Sequence, residues 1–129
     1  MPLTTAEANA LLNASTLNAD YPHTTGPTKL ALLTANSTET APGTEVTGGS
    51  GPYSRQDATF AAAASGGAIS NSAAITFAGM PTCSVTGVDV YDSAATPNRK
   101  WFGPLTPARD LQAGDSLTFA IGALVLQLS

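Results

Sequence analysis

The clearest pattern in the chain is strict alternation near its end. Leu117, Phe119 and Ile121 alternate with Ser116, Thr118 and Ala120 after the turn Gln112-Ala113-Gly114-Asp115. Gly122 breaks the run, and Leu124, Leu126 and Leu128 then alternate with Val125 and Gln127. A period of two is the mark of a strand with one face buried. So apolar a terminal strand is expected at the centre of a sheet, and a fragment ending at Ile121 is expected not to fold. The stretch Ser84 to Asp92 reads as another strand, with Thr86, Val88 and Val90 on one face. Asp89 then falls on the opposite face, toward solvent or a partner, and Gly87 marks a bulge or a close backbone approach. Lys29 to Thr34 is nearly continuous apolar sequence, which predicts a strand buried on both faces.

Shorter strands are expected at Tyr53 to Phe60, Ala68-Ile69-Ser70 and Ala74-Ile75-Thr76-Phe77. Lys100 to Gly103 is strand-like and carries the single Trp, while Pro104 and Pro107 confine the next stretch to an edge or a loop. Residues 35–52 are rich in Thr, Ser, Gly and Pro and read as a long surface loop, and Ala61 to Gly67 reads as a turn. At the N-terminus, Thr4 and Glu7 have capping-box spacing and Leu3 stands where a hydrophobic staple would. Ala8, Leu11 and Leu12 share one side of a helix over about residues 5–14. The stripe is narrow, so this helix is expected to lie on a sheet or on a neighbour. Asn18 to Pro22 ends it.

Eight or so short strands, long loops and no βαβ rhythm predict an all-β fold, an antiparallel β-sandwich or jelly roll with a short N-terminal helix. The organisation expected is a helix and arm over 1–28 and a β-sandwich domain over 29–129.

Composition narrows the function. Only 11% of the 129 residues are charged and the net charge is −4, so there is no basic footprint for nucleic acid. A surface so poor in charge suits a protein largely covered by other subunits. No stretch approaches the ~20 apolar residues of a membrane helix, and the first residues lack the basic and apolar regions of a signal peptide. The chain is therefore expected to be made and used in a cytoplasm, and the sequons at Asn13 and Asn36 to be chance.

Chemistry is sparse. The single His23 lies in a loop without partners at ligand spacing, so no metal site is expected, and no cofactor. Cys83, the single cysteine, reads as a small buried hydrophobe. Asp89 and Asp92, or Asp110 and Asp115, have the residue type for glycoside hydrolysis, but turn-capping is the ordinary reading. Gly48-Gly49-Ser50-Gly51 lacks the Lys and the helix of a phosphate loop. With no nucleophile and base in view, the chain is read as a non-enzyme.

Aromatics and cations point instead to contact surfaces. Phe60, Phe77 and Phe119 are expected in the core. Trp101 and Phe102 put one ring on each face of a strand, so one is expected to face a partner. Arg55, Arg99, Lys100 and Arg109 lie at strand ends or loops, where Arg bridges carboxylates across interfaces. The residues expected at an interface are Leu11, Leu12, Tyr53, Arg55, Tyr91, Arg99 and Trp101, with the N-terminal segment and the 35–52 loop beside them.

The layout of the whole chain resembles a group of small virion proteins of tailed bacteriophages, especially those infecting actinobacteria. The residues carrying the resemblance run from Leu3–Leu12 through Leu30–Thr34, Gly43–Gly49, Tyr53–Gln56, Ala61–Ser70 and Ala74–Phe77 to Val88–Asp92, Trp101–Leu105 and Gly114–Phe119. The stretch Leu17 to Thr28 departs from that pattern. The resemblance implies a β-sandwich virion protein without catalytic residues. It suggests a capsid decoration protein on the outside of the shell, with the major capsid protein as partner and a homo-oligomer, a trimer by preference, as the working form. Binding only the assembled lattice would stabilise it by mass action. The alternative is a tail or tail-fibre component with a receptor- or glycan-binding role.

Overall fold

The computed structural model describes residues 1–50, 52–61 and 66–128; positions 62–65 of the expected Ala61–Gly67 turn lie outside them. Among the described residues one helix, α1 (Thr5–Thr16), precedes nine strands: β1 (Thr28–Ala35), β2 (Thr44–Glu45), β3 (Gln56–Ala58), β4 (Ala68–Ser70), β5 (Ile75–Phe77), β6 (Cys83–Tyr91), β7 (Arg99–Leu111), β8 (Leu117–Phe119) and β9 (Val125–Gln127). The pairings between these strands are antiparallel. One layer is a five-stranded sheet in the order β2-β1-β6-β7, with β3 also on β1; the other consists of the ribbons β4-β9 and β5-β8.

The two layers close on one apolar core. Leu30 and Leu32 of β1 and Val88 and Val90 of β6 face Ile75, Phe77, Leu117, Phe119 and Leu126 of the ribbons. Register explains the selection: Leu30 is opposite Val90 and Leu32 opposite Val88, so one pleat face of both strands is apolar. This is an all-β sandwich, as the alternation predicted. β1 is buried on both faces as its composition required, with Leu30 to Leu33 at most 2% exposed. Gly87 marks both features expected of it. The β6–β7 register shifts between Val85 and Gly87, and a Cβ at Gly87 would stand 2.9 Å from the Gly103 carbonyl oxygen and 2.5 Å from Asn36 Oδ1.

Several elements differ from expectation. β9 is not central; it pairs with β4 in a two-stranded ribbon, and Leu128 is exposed. Leu124 and Leu126 still reach the core, so packing rather than ladder hydrogen bonds accounts for their apolarity. Ile121 is 69% exposed, because the chain turns at Gly122 instead of continuing the strand. The Tyr53–Phe60 run forms only three residues of strand, with a bridge from Phe60 to Asn71. The 35–52 stretch is more than a surface loop: it contributes β2, a core residue (Val46) and the buried Ser37. β7 runs through Pro104 and Pro107, which its edge position tolerates; Pro104 is opposite Gly87 and Arg109 opposite Val85, so residues 105–108 bow away from β6.

Thr4 caps α1 through its hydroxyl, which accepts from the Glu7 N–H at 3.2 Å. The other half of the box is absent. The Thr4 N–H donates to the Lys100 carbonyl, and the Glu7 carboxylate is used elsewhere. Leu3 bridges to Trp101 and the Phe102 N–H donates to the Pro2 carbonyl, so residues 2–4 lie along the edge of β7 and carry the helix with them. Replacing Thr4 with Ala is expected to cost about 1 kcal/mol in chemical unfolding. An unchanged midpoint would show that α1 is held by its contacts with β7 alone.

Candidate functional site

Two constructions carry the polar and aromatic residues singled out by the sequence. The first is on the face of the five-stranded sheet turned away from the core. Ala31, Asp89 and Phe102 are successive neighbours across β1, β6 and β7, and Leu33 is opposite both Glu45 and Gly87. Above them residues 36–43 fold back over the sheet. The Ser37 hydroxyl donates to Asp89 Oδ2 (2.9 Å) and accepts from the Gly43 N–H (2.7 Å), and the Thr86 hydroxyl donates to Asn36 Oδ1 (2.9 Å). This corrects the reading of Asp89 as solvent-facing: it is 0% exposed. Alternation put it opposite the core correctly, but a loop distant in sequence covers it.

Arg99 lies beside it, its Nη1 3.9 Å from Asp89 Oδ1 and its guanidinium 5.5 Å from the Phe102 ring centre. Neither Asp89 Oδ1 nor Arg99 Nη1 has a hydrogen-bond partner among the described residues. Burial pushes the Asp89 carboxyl above its usual range, against the opposing pull of the Ser37 hydroxyl and the Arg99 charge. Toward β2, Arg55 holds Glu45 in a two-pronged pair (Nη2–Oε1 2.9 Å, Nε–Oε2 3.1 Å) and stacks over Tyr91, 3.7 Å from the ring centre.

Tyr53 completes this edge. β2 and β3 leave a gap on β1, where the Leu32 N–H finds no strand partner. The Tyr53 hydroxyl accepts that N–H (2.9 Å) and donates to Glu45 Oε2 (2.7 Å), and the Val46 N–H donates to the Leu32 carbonyl. Burial and the hydrogen bond to Glu45 push the Tyr53 hydroxyl above its usual range, despite the Leu32 N–H, which favours ionisation. Tyr53→Phe orphans a buried N–H and is expected to cost about 1–3 kcal/mol. Amide exchange at Leu32 should accelerate with it; an unchanged rate would assign the protection to another group.

The second construction is a cleft of ≈ 260 Å³ beside α1, lined by Trp101, Phe60, Ile69 and Leu126 and rimmed by residues of the 21–28 connection, Asp92 and Lys100. Its rim is braced. Glu7 is 6% exposed; its carboxylate accepts from the Tyr21 hydroxyl and lies 3.3 Å from Lys100 Nζ, which itself sits 5.3 Å from the Tyr21 ring centre. Asp92 accepts from the N–H groups of Ala94 and Asn98 and from the Asn98 side chain. Burial pushes its carboxyl upward, but these donors outweigh it and hold the group below its usual range. A larger cleft of ≈ 610 Å³ opens where β7 bows away, between Gly103–Pro107 and the segment from β8 to β9.

The structure thus gathers Arg55, Tyr91 and Arg99 on one face with Tyr53 at its margin, and sets Trp101 apart in the cleft. Leu11 is half-buried on α1, and Leu12 is exposed. Sequence reasoning missed Glu7 as a tie between helix and sheet, and Tyr21 and Phe60 as cleft residues. It also missed Asn71, whose side chain donates to the Ala73 and Ala120 carbonyls and accepts from the Leu124 N–H. Only proximity in the fold signals these roles. Among the described residues no three His, Cys, Asp or Glu are grouped to hold a metal, and no helix is long and apolar enough to cross a membrane.

A two-layer sandwich with an N-terminal helix fastened to its edge, and loops tied down by polar groups, defines an all-β sandwich protein. The chain belongs to the family described as podophage GP4 fiber I protein gp80, whose model matches residues 2–127. It is a bacteriophage virion protein of fibre type. No curated protein matches it.

Proposed function

We propose that the chain is a structural subunit of the phage fibre apparatus, working as a homo-oligomer, with a trimer favoured. The observation that carries this is the extent of the family match, which spans helix, arm and both layers of the sandwich. Exposed Ile121, Val125 and Leu128 on the β8–β9 side, and Leu12 and Leu17 on and just after α1, supply apolar surface that oligomer contacts would cover. The sparse charge of the chain agrees with such covering. The role is structural rather than catalytic.

Cryo-electron microscopy of intact particles tests the reading. Density for the sandwich on the tail or its fibres is the expected result. Density in many copies over the shell would replace it with capsid decoration and make the major capsid protein the partner. Light scattering of the purified chain reports the oligomer separately, and a monomer at micromolar concentration would refute self-association.

A further inference from the structure

We propose that the cleft at Trp101 binds carbohydrate, taking a single sugar ring such as the terminal unit of a bacterial surface glycan. The inference deepens the fibre reading by giving that virion element something to grip.

The cleft has the two-sided chemistry a pyranose needs. A sugar ring presents an apolar C–H face and a belt of hydroxyls. On one side the cleft offers the Trp101 indole, partly exposed and backed by Phe60, Ile69 and Leu126. Aromatic faces take such C–H surfaces well, and the indole adds a polar edge. The Trp101 indole N–H makes no hydrogen bond to the described residues, which leaves it able to donate to a ligand. On the other side, Asp92, Lys100 and the exposed His23 give acceptors and donors at close quarters.

Charge and size narrow the occupant. Glu7 and Asp92 outnumber Lys100, so the rim has no positive excess to hold a phosphate or a nucleotide. At ≈ 260 Å³ the space matches one sugar ring better than an extended peptide, and the Tyr21–Thr28 connection forms one of its walls. The rim is also set before any ligand arrives. The hydroxyl of Tyr21 is fixed on Glu7, Lys100 lies between that carboxylate and the Tyr21 ring, and the Asp92 carboxylate is oriented by three donors. A site already ordered loses little entropy on binding, which matters for a ligand as small as one sugar.

Trp101 is the single tryptophan of the chain, so its fluorescence reports the cleft directly. The test titrates the purified full chain with glucose, galactose, rhamnose and N-acetylglucosamine, reads Trp101 emission and saturation-transfer NMR, and screens an array of bacterial surface glycans. The expected result is transfer to ring C–H protons of at least one of the four sugars, with a matching subset of array glycans. Binding should weaken by about tenfold or more in Trp101→Leu. Because Trp101 also touches the core, a second variant, Thr24→Phe, narrows the entrance from an exposed loop position and should block binding with an unchanged circular dichroism spectrum. No transfer from any of the four sugars together with an empty array overturns the proposal, as does binding that survives both substitutions. The readout uses the isolated chain, so finding the protein on the shell instead of the tail would refute the fibre reading and leave this result standing.

Discussion

Replacing Asp89 with Ala is expected to destabilise the fold by about 3–5 kcal/mol, the range for breaking a buried ion pair from one side. The reason lies in what remains. Arg99 keeps its charge with a side chain only 10% exposed, and Nη1 already lacks a hydrogen bond. Ser37 loses the acceptor that closes the 36–43 loop over the sheet. Removing both charges is a different experiment. Asp89→Leu with Arg99→Met leaves no ion behind, and the methionine can still cover Phe102. The double variant is expected to recover most of the loss, since apolar replacements of buried pairs are often neutral or stabilising. Urea unfolding of the two single variants and the double decides it. A double variant as unstable as the sum of the singles would show that the pair is not coupled.

The pH dependence has a definite sign. The folded pKa of Asp89 is raised, so between the unfolded value of about 4 and that raised value the native state binds more protons than the unfolded chain. Stability from this group is therefore fullest below the unfolded pKa and declines as pH rises through the folded one. Asp92 has the opposite sign: its pKa is lowered, and its contribution is lost as pH falls. Asp89→Asn removes the first slope and leaves the second. The stability of the wild type minus that of the variant should accordingly fall as pH rises from about 4. A flat difference would mean that Asp89 titrates alike in both states.

The parts of this fold legible in the sequence were those set by local alternation. β1 is long enough for its apolar run to be unambiguous, and in β6 Val88 and Val90 face the core as alternation requires; the irregularity marked by Gly87 then puts Val85 in the core in place of Thr86, which turns to Asn36. The misplacements share one cause, which is that burial can come from distant chain. Asp89 reads as exposed until residues 36–43 fold over it, and Glu7 reads as a capping-box residue until Tyr21 and Lys100 are brought to it. β9 is apolar because Leu124 and Leu126 pack under the large sheet, not because strands flank it. For the cleft, Trp101 was visible as the single indole and as a ring that one face of a strand must present. Its companions Tyr21 and Phe60 were not, since they arrive from the 17–27 connection and from beyond β3.

Phe77→Ala is the second large effect, about 3–5 kcal/mol for emptying an aromatic site in the core. Phe77 is 2% exposed, stacks on Tyr53 with ring centres 6.0 Å apart and meets Phe119 edge-on at 6.3 Å. Its strand gives little else to hold the second layer: β5 has three residues and, among the described residues, pairs only with β8. Apart from the Phe60–Asn71 bridge next to β4, side-chain packing must therefore join the ribbons to the large sheet. Against a total stability of about 5–15 kcal/mol, such a loss is a large fraction. The damage should also be uneven. β5 and β8 amides are expected to exchange faster than those of β1 and β6, whose long mutual ladder does not need the ribbons. The Trp101 cleft draws its walls from both layers, Trp101 from β7 and Leu126 from β9, so loosening their contact should blur it before the chain unfolds. Hydrogen exchange and Trp101 emission, followed together through a urea titration of the variant, test this. Emission that shifts at lower urea than the β1 and β6 amides open is the expected order. Coincident transitions would show instead that the two layers form one cooperative unit, with Phe77 one contact among many.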